Sequence, residues 1–231
     1  MRRFKDYSAG QEQLAGDDGA DDKPEATDEP PSQPVESAQC NFTDPDSRIM
    51  RDNSTKSFQQ SYNCQAAVDE QAQVILAADV TQQANDKAQV EPMTAQVQQN
   101  TGSPPQEVSA DAGYFSEHNV RYLTEAGIDP YVATKQRKHS DKSAPAPRGR
   151  IAQDATVKQR MARKLSTKKG RTAYAKRKQT VEPVFGQIKE ARGFRRFVLR
   201  GLEAVRAEWR LICLGHNLLK LFRSGAFCPA R

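Results

Sequence analysis

Charge along this chain is segregated, and that constrains its fold more than any single motif. Residues 1–40 hold four Lys/Arg against ten Asp/Glu, a net of −6. Residues 41–130 hold five against thirteen, a net of −8. Residues 131–231 hold twenty-six against six, a net of +20. A stretch that basic repels itself unless a polyanion lies against it, and nucleic acid is the commonest such partner. The plain alternative is a solvated basic face. Apolar residues make up 36% of the 231 and aromatics 7%, enough for one core but not for one along the whole length. No run of about 18 apolar residues occurs, so no membrane span is expected. No basic-then-apolar leader opens the sequence, which makes the cytoplasm the default compartment. Cys40, Cys64, Cys213 and Cys228 are scattered without a CxxC, as reduced, buried thiols would be. His118, His139 and His216 are too dispersed for a metal site.

The patterning divides the chain into a lead-in, a core and a tail. Residues 1–40 are acidic, contain Pro24, Pro30, Pro31 and Pro34, and read as a disordered lead-in. Residues 41–58 are turn-rich and read as an ordered loop. Tyr62–Asp69 and Val74–Thr81 read as paired strands, and residues 86–99 as a helix. Glu107–Ala110 reads as a strand ending at Asp111. Ser116 caps a helix that Gly127 stops, and Tyr131–Thr134 follows as a strand. Residues 135–150 read as a flexible basic insertion. Helices are expected over Gln153–Leu165 and Arg171–Ala191, the second interrupted by Pro183. Leu202–Phe222 is the strongest helix, with a core stripe of Val205, Trp209, Ile212, Leu214, Leu218, Leu219 and Phe222. Residues 223–231 are a tail. Paired strands followed by alternating strand and helix imply an α/β fold, a mixed sheet with helices on its faces.

Two acids stand out. Asp111 ends a strand just before Gly113 and a helix, where mixed sheets place ligands; a helix cap explains it as well. Glu182 is the only acid between Lys158 and Lys189. It suits an ion pair, a helix-start acid, or a hard oxygen ligand for Mg²⁺ or Mn²⁺ beside a phosphate-binding surface. Composition and spacing leave these readings open. In the connector Gly193–Gly201, Arg195 and Arg196 lie among aromatics, a mixture that serves nucleic-acid contact or packing equally. The Asp44–Met50 block suggests a turn with Arg48 paired to an acid.

The segments YNCQAAVDEQAQVILAADVTQQANDKAQVEPM, SADAGYFSEHN, GIDPYVATKQRKH and TVEPVFGQIKEARGFRRFVLRGLEAVRAEWRLICLGHNLLKL resemble, in order, the C-terminal portion of a bacterial insertion-sequence DDE transposase, of the insertion-sequence 1182 type. The resemblance spans about residues 41–222. It implies a ribonuclease H-like core and Mg²⁺-dependent cleavage and strand transfer at transposon ends. It also implies a DNA partner and a homodimer. Asp111 then matches the second catalytic aspartate and Glu182 the catalytic glutamate, both as metal ligands. Tyr174, Arg177 and Lys189 resemble the signature around that glutamate, with Arg177 one residue further from it than usual; Arg177 and Lys189 would hold phosphates. The first catalytic aspartate and its strand have no counterpart here. The expectation is therefore a truncated core, missing its first strand and inactive alone. The alternatives are a non-catalytic DNA-binding regulator of transposition and a degenerate pseudogene product.

Overall fold

The computed structural model describes residues 40–51, 56–135 and 146–225. Most of the expected lead-in, residues 136–145 of the basic insertion and the last six residues lie outside that set. Within it the architecture is mixed α/β. Strands β1 (Arg48–Arg51) and β2 (Phe58–Ser61) pair antiparallel. So do β3 (Asn63–Val68) and β4 (Ile75–Thr81). Helix α1 (Val90–Thr101) follows a short 3-10 turn. Strands β5 (Glu107–Ala110) and β6 (Asp129–Val132) pair in parallel, with α2 (Glu117–Glu125) between them. Then come α3 (Val157–Ser166), α4 (Lys168–Gly186) with a π turn over Gln187–Ala191, and α5 (Leu202–Arg223).

The β3–β4 ribbon is covered on both faces. Tyr62, Cys64, Ala78 and Val80 pack with Phe185, Val205, Trp209 and Ile212 on one side. Ala77 packs with Met93 and Val97 of α1 on the other. Burial on both faces is why VILAADV reads as a nearly unbroken apolar run rather than an alternating one. Trp209 is the largest fully buried side chain. Its ring stacks on Phe185 with centroids 6.0 Å apart, and its Nε1 donates to the Gln65 carbonyl at 2.9 Å.

Several elements depart from the sequence expectation. Residues 41–58 are not all loop, because β1 lies inside them; its strand partner, β2, is four residues long and mostly polar, so no alternation marks the pair. The strand expected at Tyr131–Thr134 begins at Asp129, before Pro130. Pro183 does not end its helix. Proline cannot donate to the carbonyl four residues back, and that carbonyl, Gln179 O, instead accepts from Gln73 Nε2 at 2.9 Å. On α5 the inward face is Val205, Trp209, Ile212, Cys213 and His216. Leu214 and Leu218 are each 53% exposed and Phe222 73%, so they are not core. Leu211 and Leu221 are exposed as well. The helix is apolar on two sides, and periodicity alone does not say which side turns inward. Cys64 and Cys213 are buried free thiols, but Cys40 is exposed. Burial pushes the Cys64 thiol well up, and the Cys213 thiol to about 12, which keeps both protonated and unreactive.

The Asp44–Met50 block gains a physical role. Asp44 is fully buried. Its carboxylate accepts from Tyr62 Oη at 2.8 Å and from Gly201 N at 3.0 Å, and Asp46 accepts from Leu202 N at 2.9 Å. Two acids distant in sequence thus cap α5, where unpaired N–H groups and the helix dipole favour negative charge. Among the described residues Arg48 pairs with no acid; its guanidinium donates to the Pro45 and Ser47 carbonyls.

Asp44→Ala strips that acceptor from the Tyr62 hydroxyl and the Gly201 amide. We predict a loss of about 2–4 kcal/mol in urea unfolding. His216 is buried, its Nε2 2.9 Å from the Gln73 carbonyl. Burial holds its pKa below the ordinary value, and nearby Lys220 and Arg192 add to the fall. Neutral His216 therefore supports the fold above the unfolded-state pKa, and that support is lost as pH falls below it through the folded value. Melting temperatures should fall below about pH 6.5 more steeply in the native chain than in His216→Gln.

Candidate active site

Strand β5 delivers Asp111 to its C-terminal end. The Asp111 carboxylate accepts from Gly113 N at 2.9 Å and caps the short 3-10 turn Ala112–Tyr114. The capping role weighed from spacing alone is real, and it fixes where the carboxylate points. The next cap, Ser116, accepts from Asn119 N and starts α2 as expected.

Gly113 is small because space demands it. A Cβ there would lie 3.0 Å from Asp86 Oδ2 and 3.2 Å from Asp111 Oδ1. The two carboxylates therefore approach the same point. Asp86 is 1% exposed. Its Oδ1 accepts from Asn63 Nδ2 at 2.6 Å and from Gln65 Nε2 at 2.7 Å. The Tyr114 hydroxyl donates to Gln65 Oε1, so a hydrogen-bonded chain runs from Asp86 through Gln65 to the turn that carries Asp111. Sequence reasoning missed Asp86, Asn63, Gln65 and Tyr114. The signal available was polar residues at inward positions of an otherwise apolar strand, since Asn63 and Gln65 alternate with Cys64 in β3.

Electrostatics mark Asp111. Burial pushes its carboxyl above the ordinary value; the Gly113 N–H and the Arg177 guanidinium pull it down, and Asp86 pushes it up. Arg177 comes from α4, and its guanidinium lies 5.4 Å from the Tyr174 ring centroid. Its Nε is buried without a hydrogen-bond partner. The structure thus brings Asp111, Arg177 and Tyr174 into one neighbourhood. Tyr174 itself is half-buried against Tyr131, Met161 and Leu165, so much of its ring is spent on packing. Glu182 lies half-buried further along α4. Lys189 lies in the π turn, its Nζ 5.8 Å from the Phe185 ring centroid. Arg195 is ion-paired to Glu190, and Arg196 is exposed.

The donors suit a hard divalent cation, because carboxylate oxygens are what Mg²⁺ selects. Among the described residues no group of three or more His, Cys, Asp or Glu side chains gathers where an ion could sit. No helix among the described residues is long and apolar enough to cross a membrane.

The site thus holds a carboxylate pinned at a strand end, in the electrostatic reach of a guanidinium from a basic helix. The model for the transposase DDE domain matches residues 38–218, and the chain belongs to that family. No curated protein and no solved structure matches the chain.

Ionised Asp111 is held at a cost to the fold, as functional carboxylates often are. Its raised pKa means that folding is favoured by protonation, and the penalty grows as pH rises through the folded value. Asp111→Asn keeps the oxygen that accepts from Gly113. Its melting temperature should exceed that of the native chain at pH 7, and the difference should vanish near pH 3, where both side chains are neutral.

Proposed function

We propose that this chain supplies part of the catalytic core of an insertion-sequence DDE transposase, of the insertion-sequence 1182 type, acting on DNA ends with Mg²⁺ or Mn²⁺. The observation that carries the reading is Asp111, fixed at the end of β5 beside Arg177 of α4, within a chain of the transposase DDE family. Asp111 and Glu182 are the ligands it would contribute. The metal would activate the attacking oxygen and stabilise the leaving one. The chain's own residues do the rest. Gly113 and the Asp86–Gln65–Tyr114 chain hold the Asp111 carboxylate in place. Arg177 and Lys189 balance phosphate charge, and Arg195 and Arg196 extend the basic surface along the strand.

The ribonuclease H-like arrangement is part of this proposal. Among the described residues strand β3 pairs only with β4 and β5 only with β6. Tyr114 and Gln65 bridge the two ribbons. In this reading the two ribbons belong to one mixed sheet. Two carboxylates are too few for two metals, so these residues do not complete strand cleavage by themselves. A regulator that binds DNA without cutting it is the second reading, favoured by the +20 of residues 131–231.

The test is a gel assay on duplexes carrying candidate insertion-sequence ends. We expect no Mg²⁺-dependent nicks, together with binding that weakens about 10³-fold or more between about 50 and 200 mM salt. Cleavage that Asp111→Ala abolishes would show that the carboxylate set is complete. Absence of binding at low salt would overturn the DNA reading as a whole.

A further inference from the structure

The connector between the π turn and α5 is held rigidly while its apolar tip stays in water. Phe197 is its anchor, buried and edge-on to Tyr62 with ring centroids 6.3 Å apart. Immediately after it, Val198 is 83% exposed and Leu199 46%. Their backbone is not loose. The Glu208 carboxylate on α5 accepts from Val198 N at 2.9 Å and from Leu199 N at 2.9 Å. At the C-terminal end, Gly201 has φ +81°, and Asp44 and Asp46 hold the Gly201 and Leu202 amides. A carboxylate bound to two successive N–H groups fixes the tip and keeps both side chains pointing outward. Val198 and Leu199 thus form a small apolar surface held in a fixed place.

The neighbours of the tip identify the occupant. Arg196 and Arg200 flank Val198–Leu199 in sequence and are exposed, and no acid lies between Ala191 and Leu202. Arg192 extends the basic stretch toward the core, its guanidinium 4.9 Å from the Phe194 ring centroid. Cations on both sides of a small apolar wedge match a groove lined by phosphates. Proteins that bend DNA insert such side chains between base steps and hold the backbone on either side with arginines.

We propose that residues 193–201 form a preassembled wedge for duplex DNA. Val198 and Leu199 enter at a base step, and Arg196 and Arg200 hold the adjacent phosphates. This rests on the DNA reading above and adds to it a duplex deformation that phosphate contacts alone do not produce. The wedge favours steps that unstack easily, such as TA.

The experiment uses the full chain and a duplex with a central TA step, 2-aminopurine in place of its adenine, and a dye at each end. The native chain should raise the 2-aminopurine fluorescence and shorten the dye-to-dye distance. Val198→Ser/Leu199→Ser should bind several-fold more weakly, keep the salt slope, and lose both signals. Arg196→Ala/Arg200→Ala should lower the salt slope by about two. Thermal melts check that each variant folds; should either fail, Glu208→Gln, which loosens the tip without removing it, should weaken both signals. Salt-dependent binding by the native chain with neither signal overturns the wedge and leaves the DNA reading standing. So does a serine variant that keeps both signals. Absence of salt-dependent binding overturns both. Loss of binding to vesicles of phosphatidylserine by the serine variant, with DNA signals intact, assigns the tip to a lipid surface and also overturns the wedge.

Discussion

Among the described residues the β3–β4 ribbon has no third strand, and helix α5 makes hydrogen bonds to it from the side. A two-stranded ribbon leaves half of its backbone groups without a strand partner, and a buried one cannot leave them to water. Four side chains of α5 answer this with bonds to backbone groups, and a fifth, Lys220, bonds a side chain of the turn. Arg206 Nε donates to Val80 O, and Trp209 Nε1 to Gln65 O. His216 meets Gln73 O, Asn217 bonds both the N–H and the carbonyl of Ile75, and Lys220 reaches Gln73 Oε1. These residues fall along one side of the helix, so a single docking satisfies the ribbon from its turn to its open end. The turn Glu70–Gln73 is fixed twice over, since Gln73 also reaches the carbonyl that Pro183 leaves vacant in α4. Its φ of +56°, uncommon for a non-glycine residue, is sustained by those contacts.

The charge segregation acquires a second explanation from the same packing. Arg206 and Arg210 meet Asp79 at 3.2 and 3.7 Å, and Lys176 meets Glu70 at 2.7 Å. Lys169 meets Asp129 and Glu107 at 3.2 and 3.4 Å, and Lys164 is paired with Asp129. In each case the cation comes from the basic third of the chain and the acid from the acidic stretch before it. Part of the basic excess is therefore spent inside the molecule. The Lys169 and Lys176 pairs are exposed and contribute little to stability, whereas Arg206–Asp79 and Lys164–Asp129 are half-buried. Their consequence is orientation, because only one docking of α4 and α5 brings every pair together. The arginines of the connector stand outside this network except where Glu190 pairs Arg195, so outward positive charge is concentrated next to α5's capped end.

Local patterns were legible where the chain obeys one rule at a time. Strands β3, β4 and β5 were readable from apolar runs, and the start of α2 from Ser116. Helix α5 was readable as a helix, but its inward face was not. An α-helix apolar on two sides gives no periodic signal of which side is buried; His216 and Cys213 turn in where Leu214 and Leu218 turn out. Strand β1 was invisible because RIMR and FQQS carry no alternation. Asp111 was readable from its place between a strand and a glycine. Asp86 was not, because an acid at the start of a helix read over 86–99 looks like any helix-start acid until Asn63, Gln65 and Gly113 are brought to it.

That last comparison bears on how the site is built. Asp111 is held by its own turn, but the turn is held by Tyr114 on Gln65, and Gln65 is held from two directions. Its side chain is bonded to Asp86 and its backbone carbonyl to Trp209. The residue that fixes the candidate catalytic turn is therefore the one that the core tryptophan of α5 fixes in the ribbon. Docking of α5 and placement of Asp111 are one event, and the caps from Asp44 and Asp46 set where α5 begins. The acidic part of the chain thus positions the basic helix, and the helix in return positions the carboxylate. Undocking α5 removes the Trp209 bond that fixes Gln65, and that dependence ties the site's geometry to the stability of the core.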